Sequence, residues 1–450
     1  LMKGDEIVVE SFKRKEFILP IIMGICLGFL YFKLPLSIFA FIFLGFIIIV
    51  ATLYSIKIGI CLSVFLMPYL PFTVDLLFML FIFFAYIYKG IFRKIDPFTK
   101  ETIDIPIVLF VIAIIISTIT SIDPKGSLRD LVFQLVSISF VFVIINNIKS
   151  KKDLNILLTI LIITATISSL YGIYQYITGL KMTDRWVDEA GNPGIVTRVF
   201  SVFDNPNVLA EYLIMTIPIS ISLLWNSKKG YKKIIFLFTT IILVTGLGLT
   251  YSRGGWLGFA FGIFIFILLT EKRLLFILLP LGLLALPFLP ATILNRMLSI
   301  KDIADSSTSS RFGIWLTSIN IIKDNWIAGV GLGSNPFRNA YRHYARSSFV
   351  YYHAHNTYLQ TAVEMGIAGL IVLFMLIFVI YKYPIKNLIK GKDKWVKVVT
   401  AGILSGLSAV FIHSFFDSIF FMPKTIITFW TLISFLLVLL RISNSSNEII

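Results

Sequence analysis

This 450-residue chain is short of charge and poor in the residues that staple or ligate: aspartate and glutamate together number 24, histidine four and cysteine two. Cys26 and Cys61 both lie within apolar runs, where they behave as small hydrophobes and supply no disulfide framework. Charged residues make up 14% of the chain, well under the roughly 25% of a soluble domain, and no polar stretch is long enough to form one. No internal repeat and no low-complexity tract is visible. The scarcity of acids against 40 lysines and arginines leaves a net charge of +16, but the placement of those cations follows membrane topology, so a nucleic-acid partner is not expected.

What is abundant is apolar surface, with 57% hydrophobic residues and a mean hydropathy of +0.90. A hydrocarbon core of about 30 Å needs roughly 20 mostly apolar residues per helical crossing. Runs of about this kind occur at 17–33, 36–55, 58–72, 74–92, 105–121, 130–148, 153–179, 207–226, 233–251, 254–271, 274–290, 356–381, 397–415 and 422–440. Backbone polar groups in lipid must pair internally, so these runs predict an all-α polytopic bundle of about 14 (12–14) transmembrane helices. The run at 17–33 follows a basic tail (Lys3, Lys13, Arg14, Lys15) and reads as a retained anchor. Placing that tail inside puts most of the remaining cations inside as well, among them Lys94, Lys100, Lys149, Lys228, Lys272 and Lys392, with both termini cytoplasmic.

Two outer segments interrupt the bundle on this topology. The first, 181–206, is polar and turn-rich, with Lys181, Arg185, Gly191, Gly194 and Arg198 along it. The second, 291–355, is longer than a simple connector. Within it Ser306 to Ser310 offers capping residues, and Phe312, Trp315, Leu316, Ile319 and Ile322 recur at helical spacing, which predicts a helix lying in the membrane interface. The run Gly329-Val330-Gly331-Leu332-Gly333 predicts a turn that brings backbone close to another element.

Several polar residues stand where the inside-positive rule does not expect them. Arg198 precedes Asp204-Asn205-Pro206-Asn207, a capping sequence whose helix N-terminus beside an arginine suits phosphate oxygens. Arg253 closes one span in Ser252-Arg253-Gly254-Gly255, where the glycines predict a tight reversal, and Arg311 opens the interfacial helix. Taken singly, each could be a capped helix or a headgroup contact. His353 and His355 lie in Tyr-Tyr-His-Ala-His-Asn (351–356). Helical spacing from His355 puts Leu359, Ala362, Gly366 and Gly369 on one face, predicting a small-residue stripe beneath that histidine with Glu364 on the opposite side. A histidine there can accept a hydroxyl proton near neutral pH.

The pattern His355-Asn356, nine residues, then Gly366-Ile367-Ala368-Gly369 resembles the histidine motif of bacterial O-antigen ligases. Ser252-Arg253-Gly254, Arg311 with Trp315, and Gly329-Val330-Gly331 resemble the domain those ligases share with Wzy-type O-antigen polymerases, over roughly residues 195–380. The resemblance implies a GT-C-like membrane glycosyltransferase that uses no metal or other cofactor and acts on undecaprenyl-diphosphate-linked glycans at the outer face of the bacterial cytoplasmic membrane. Taken together with the reading of the residues, it makes His355, with His353 as the alternative, the expected catalytic base, and Arg198, Arg253 and Arg311 the expected site for the donor diphosphate. Asn356, Gly366 and Gly369 are then motif residues. The corresponding organisation is an N-terminal bundle at 1–180, a catalytic region at 181–390 and C-terminal helices at 391–450. The expected partners are the lipid-linked donor, a glycan or glycolipid acceptor and the bilayer. Ligase and polymerase share this donor chemistry. A transporter for lipid-linked glycans, suggested by Gln175 and Glu364 inside spans, and a noncatalytic scaffold are the readings from other classes.

Overall fold

The computed structural model describes residues 21–93, 104–180, 197–285, 287, 291–298, 306–345 and 349–447. The basic tail, Lys94, Lys100 and the polar run from Lys181 to Gly194 lie outside the described residues. Those described are helical or irregular, without a strand. In chain order the helices are α1 (Ile21–Lys33), α2 (Leu36–Tyr54), α3 (Ile56–Leu66), α4 (Phe72–Arg93), α5 (Asp104–Ile119), α6 (Pro124–Asn147), α7 (Lys151–Thr178), α8 (Pro206–Asn226) and α9 (Gly230–Leu249). There follow α10 (Arg253–Thr270), α11 (Leu275–Ala285), α12 (Ala291–Leu298), α13 (Ser306–Asp324), α14 (Ser334–Tyr344), α15 (Thr357–Lys390), α16 (Lys394–His413) and α17 (Pro423–Asn447).

Among the described residues each apolar run of the sequence contributes to a helix, and 10 helices are long and apolar enough to cross a membrane. The chain is a polytopic helical membrane protein, although among the described residues the long spans are fewer than the expected fourteen. Proline accounts for part of the difference. Pro68 and Pro71 follow α3, which stops at Leu66. Helix starts are written in the sequence: the side chains of Asp123, Ser150, Asn205, Ser252, Asn356 and Asp393 each accept a hydrogen bond from a first-turn N–H.

Residues 1–59 and 60–450 form separate compact units. In the larger one α8, α16 and α17 make the centre, with 83%, 83% and 94% of their apolar windows buried. Lipid offers no hydrophobic drive for helices to meet, so close backbone approach must supply the packing. Gly402 and Gly406 turn one face of α16 onto α8, where a Cβ at 406 would fall 2.4 Å from the Met215 carbonyl oxygen. Gly258 and Gly262 of α10 sit in the same way against the carbonyls of Ala409 and Ser405, on α16.

The expected small-residue face under His355 is corrected here. Helix α15 begins at Thr357, so His355 lies outside it, and Gly366 breaks its backbone at φ 65°, ψ −169°. Ile367 N–H donates to the Trp326 carbonyl at 2.8 Å, and a Cβ on Gly366 would strike the carbonyls of Ile327 and Trp326. Gly366 therefore admits a crossing loop rather than a neighbouring helix. Gly369 lies beyond this break against the Met365 side chain.

The glycine turn does make the close approach expected of it. Val330 N–H donates to the Val363 carbonyl at 2.8 Å and Gly331 N–H to that of Glu364 at 3.2 Å, with positive φ at Gly329, Gly331 and Gly333. The serine run forms the first turn of α13 instead of preceding it, and α12 and α14 are additional short helices of the long connection. Buried Ile314, Ile321, Phe337, Tyr341, Ala354 and Val363 join α13, α14, the histidine segment and the start of α15 into one apolar cluster.

Gly406→Val is expected to cost about 1–3 kcal/mol by overpacking and to lower the thermal unfolding midpoint of the detergent-purified protein. Gly248→Ala, at a helical position with nothing within 4 Å of the new carbon, is expected to leave the midpoint unchanged or slightly raised.

Candidate active site

The site is built where four connections meet: the segment before α8, the α9–α10 turn, the segment before α15 and the α16–α17 connection. Residues 197–204 are pinned first. Gln175 of α7 accepts hydrogen bonds from the N–H groups of Phe200 and Ser201 and donates to the Ser201 carbonyl. Lys424 donates to the Val202 and Pro68 carbonyls at 2.6 Å. Gln175 thus anchors a loop in this structure, and Glu364 does the same, accepting from Gly333 N–H at 3.1 Å and from Gln360 at 2.7 Å. These were the two intramembrane polar groups that suggested transport.

Arg198 is held by its Nε donating to the Thr250 carbonyl at 2.9 Å and its Nη2 donating to Asn207 Oδ1 at 3.0 Å. Asn207, in the first turn of α8, donates its Nδ2 to Asp417 Oδ2 at 3.2 Å. Arg253 is the first residue of α10, after a reversal made at Thr250 to Ser252 with Tyr251 at φ 50°. The glycines expected to form that turn are inside α10: Gly254 lies against His413 and Gly255 against Ala210. Arg311 stands in the second turn of α13. Burial, then the charges of Arg296, Arg311 and Arg253, push the Arg198 guanidinium down to a pKa of about 9. The structure thus brings together the three arginines singled out in the sequence and adds Arg296.

The histidines meet across an acid that sequence reasoning missed. His355 Nδ1 lies 3.3 Å and His353 Nδ1 3.9 Å from Asp417 Oδ1, and the two imidazoles have ring centroids 3.9 Å apart. Their placement is rigid. Ala354 between them is buried and donates its N–H to Gln360 at 2.6 Å, while His355 takes φ 49°, a left-handed conformation that costs energy in most non-glycine residues. Asn356 donates through Nδ2 to the Phe415 carbonyl and through its N–H to Ser418 Oγ. Thr357 Oγ1 donates to the Asp417 carbonyl and accepts from Ile419 N–H. Asn356 is therefore both the α15 cap and a tie to the acid's loop.

Burial, reinforced by His355, lowers the His353 pKa from 6.5 to about 3, which leaves it neutral and a weak base at physiological pH. Burial alone would raise the Asp417 carboxyl, but His355, His353 and His413 together hold it well below the usual carboxylate range. Behind it, His413 Nδ1 lies 3.4 Å from Glu211 Oε1, and Glu211 Oε2 accepts from Thr425 Oγ1 at 2.6 Å, all three residues being buried. His353, His355 and Asp417 offer ligand atoms within 4.8 Å of one another, a set able to hold a divalent cation. Glu211 lies within α8, while His413 ends α16 and Asp417 follows it by one turn, so the three are split between two apolar stretches far apart in sequence. A polar residue inside a hydrophobic run was the available signal.

Residues 238–374 match the family described as O-Antigen ligase. The matched stretch contains Arg253, Arg311, His353 and His355, starts after Arg198 and ends before Asp417. A Haemophilus influenzae protein described as uncharacterized is 29% identical over 218 residues, covering 44% of this chain and 55% of that relative. The chain thus matches about half the length of that relative.

The buried neutral His353 sets a pH dependence of stability. Its folded pKa of about 3 lies below its ordinary 6.5, so as pH falls from 6.5 the unfolded chain takes up a proton that the folded chain refuses, and stability drops. Thermal unfolding midpoints should fall between pH 7 and 5, and His353→Gln should flatten that fall. The contribution of Asp417 is still present in that window, since a depressed carboxylate loses its stabilising effect only below its ordinary 3.8.

Proposed function

We propose that this chain is a membrane glycosyltransferase that moves a glycan from undecaprenyl diphosphate to an acceptor sugar hydroxyl at the outer face of the bacterial cytoplasmic membrane. The observation that carries the reading is the junction of an arginine cluster with a histidine–aspartate pair through one side chain, Asn207, which bridges Arg198 to Asp417. The match to the O-antigen ligase family over the stretch containing Arg253, Arg311 and His355 supports it.

Each group has a role set by its surroundings. Arg198, Arg253 and Arg311 receive the donor diphosphate, whose negative charge offsets both the burial and the mutual repulsion that lower the Arg198 pKa. The acceptor hydroxyl oxygen attacks the anomeric carbon, the bond from that carbon to the diphosphate oxygen breaks, and the electron pair leaves on the diphosphate. One displacement of this kind inverts the anomeric centre. The hydroxyl proton passes to His355, whose Nδ1 is turned to Asp417 and whose Nε2 is therefore the atom available to accept it. Asp417 stabilises the imidazolium so formed. His353, held neutral beside it, packs the His355 ring on one side and Phe421 on the other. In this scheme fixed guanidinium charge does the work that a divalent cation does in other phosphate chemistry, so activity should survive EDTA.

The transfer to a terminal acceptor that defines a ligase is the primary reading, and joining of lipid-linked repeats by a polymerase is the second, because the donor side is the same in both. Purified protein given a lipid-linked repeat, with and without a terminal acceptor, separates them: a ladder on the carrier lipid marks a polymerase, and product only on the added acceptor marks a ligase. Movement of the lipid without a new glycosidic bond sinks both. His355→Ala and Asp417→Asn should lower kcat by about 10²–10⁴ with a smaller change in KM, and Arg253→Ala should weaken donor binding and turnover together. Wild-type transfer by both His355→Ala and Arg253→Ala would refute the assignment.

A further inference from the structure

We propose that a groove at the opposite end of α8 from the arginine–histidine site binds an anionic phospholipid, with its phosphate at the lysine-rich end and its acyl chains in the apolar part. The site is independent of the transfer reading. Helix α8 starts with Asn207 in the active site and reaches the groove at Asn226, and its 21 residues span about 30 Å, the thickness of a hydrocarbon core. The groove therefore belongs to the other membrane face.

The groove encloses about 580 Å³ between α7, α8 and α9, with Trp395 of α16 at its edge. That volume lies in the range of about 300–1,000 Å³ typical of small-molecule sites. Its lining changes character along its length. Ile162, Ile163, Ile167, Ile235 and Phe236 form the apolar part, and Ile163, Ile167 and Ile235 are exposed on the bundle surface, so this part opens sideways toward lipid. Lys228, Lys229 and Lys232 form the other end. Among the described lining residues there is no carboxylate.

Two polar features at the lysine end have no local use. The Nδ2 of Asn226 is buried and finds no hydrogen-bond partner among the described residues, a costly state for an amide donor. Helix α9 starts beside it with Lys229 as its cap, a residue whose side chain makes no capping hydrogen bond to the first-turn N–H groups. A phosphate oxygen placed there would accept from Asn226 and from the α9 N-terminus, while the three lysines neutralise its charge. Trp395 suits the same depth, since indole rings favour the headgroup region. A soluble anion would satisfy the polar end and leave the apolar part unexplained. A zwitterionic lipid would fill the apolar part and carry its own cation toward the lysines. An anionic phospholipid satisfies both.

The test is thermal unfolding of the detergent-purified full chain with added dioleoylphosphatidylglycerol, dioleoylphosphatidylcholine or inorganic phosphate. Phosphatidylglycerol should raise the midpoint saturably, and the other two should not. The Lys228→Gln, Lys229→Gln, Lys232→Gln triple variant should weaken apparent affinity for phosphatidylglycerol by about tenfold or more, because each lysine near an anionic surface adds to the attraction. Ile163→Trp, a substitution at an exposed position that fills the apolar part without changing charge, should also abolish the shift. If the lysine variant does not fold, Ile163→Trp decides. Equal shifts from phosphatidylcholine and phosphatidylglycerol, a shift from phosphate alone, or an undiminished response in Ile163→Trp would each overturn the proposal.

Discussion

The candidate site depends on one lock, the set of hydrogen bonds that ties Asn356 and Thr357 at the head of α15 to the segment from Ser414 to Ile419. Thr357 N–H donates to the Ser414 carbonyl, its hydroxyl bridges the Asp417 carbonyl and Ile419 N–H, and Asn356 reaches Phe415 and Ser418. These bonds join two segments about 60 residues apart in sequence. They fix His355 and Asp417 in one another's reach, and they hold His355 at a left-handed φ that an unrestrained chain would leave. Positioning is decided by backbone and cap groups, so the imidazole and the carboxylate need not hold each other in place and remain available for chemistry.

A second constraint sets where polar groups are placed inside the bundle. In hydrocarbon an irregular segment must have its backbone groups satisfied by protein. Gln175, Glu364 and Lys424 are each spent on that task, the first and last on the loop before α8 and the second on the glycine turn before α14. These bonds satisfy backbone groups of the irregular segments at the bundle end. Glu211 and His413 differ from these residues in that their side chains face each other behind Asp417. Deep polar residues in this fold thus divide into those that hold backbone and those that surround the His355–Asp417 pair.

Much of the architecture was legible because lipid permits few solutions. Apolar runs of sufficient length can only be helices, and Asn205, Ser252 and Asn356 announce their starts through side chains that can accept first-turn N–H groups. Arg198, Arg253, Arg311, His353 and His355 were visible because charge and imidazole are costly near a membrane and stand out against it. Extending the helical face back to His355 failed for a local reason: Asn356 caps α15, and Gly366 interrupts the helix that the 100° rule assumed to be continuous. The glycines after Arg253 were assigned to a turn, although their absent Cβ atoms make room for Ala210 and His413.

Sequence alone determined that this is a helical membrane protein with misplaced cations and a paired histidine motif, since hydropathy, capping and charge are properties of neighbouring residues along the chain. Tertiary structure alone decided that Asp417 faces His353 and His355. Asp417 lies 62 residues from His355 and Asn207 lies 210 from Asp417, and nothing in the intervening apolar helices encodes those distances. The glycine faces of α16 and α10 encode them indirectly, by letting α8, α10 and α16 close to backbone contact and so bringing three distant helix ends to one place.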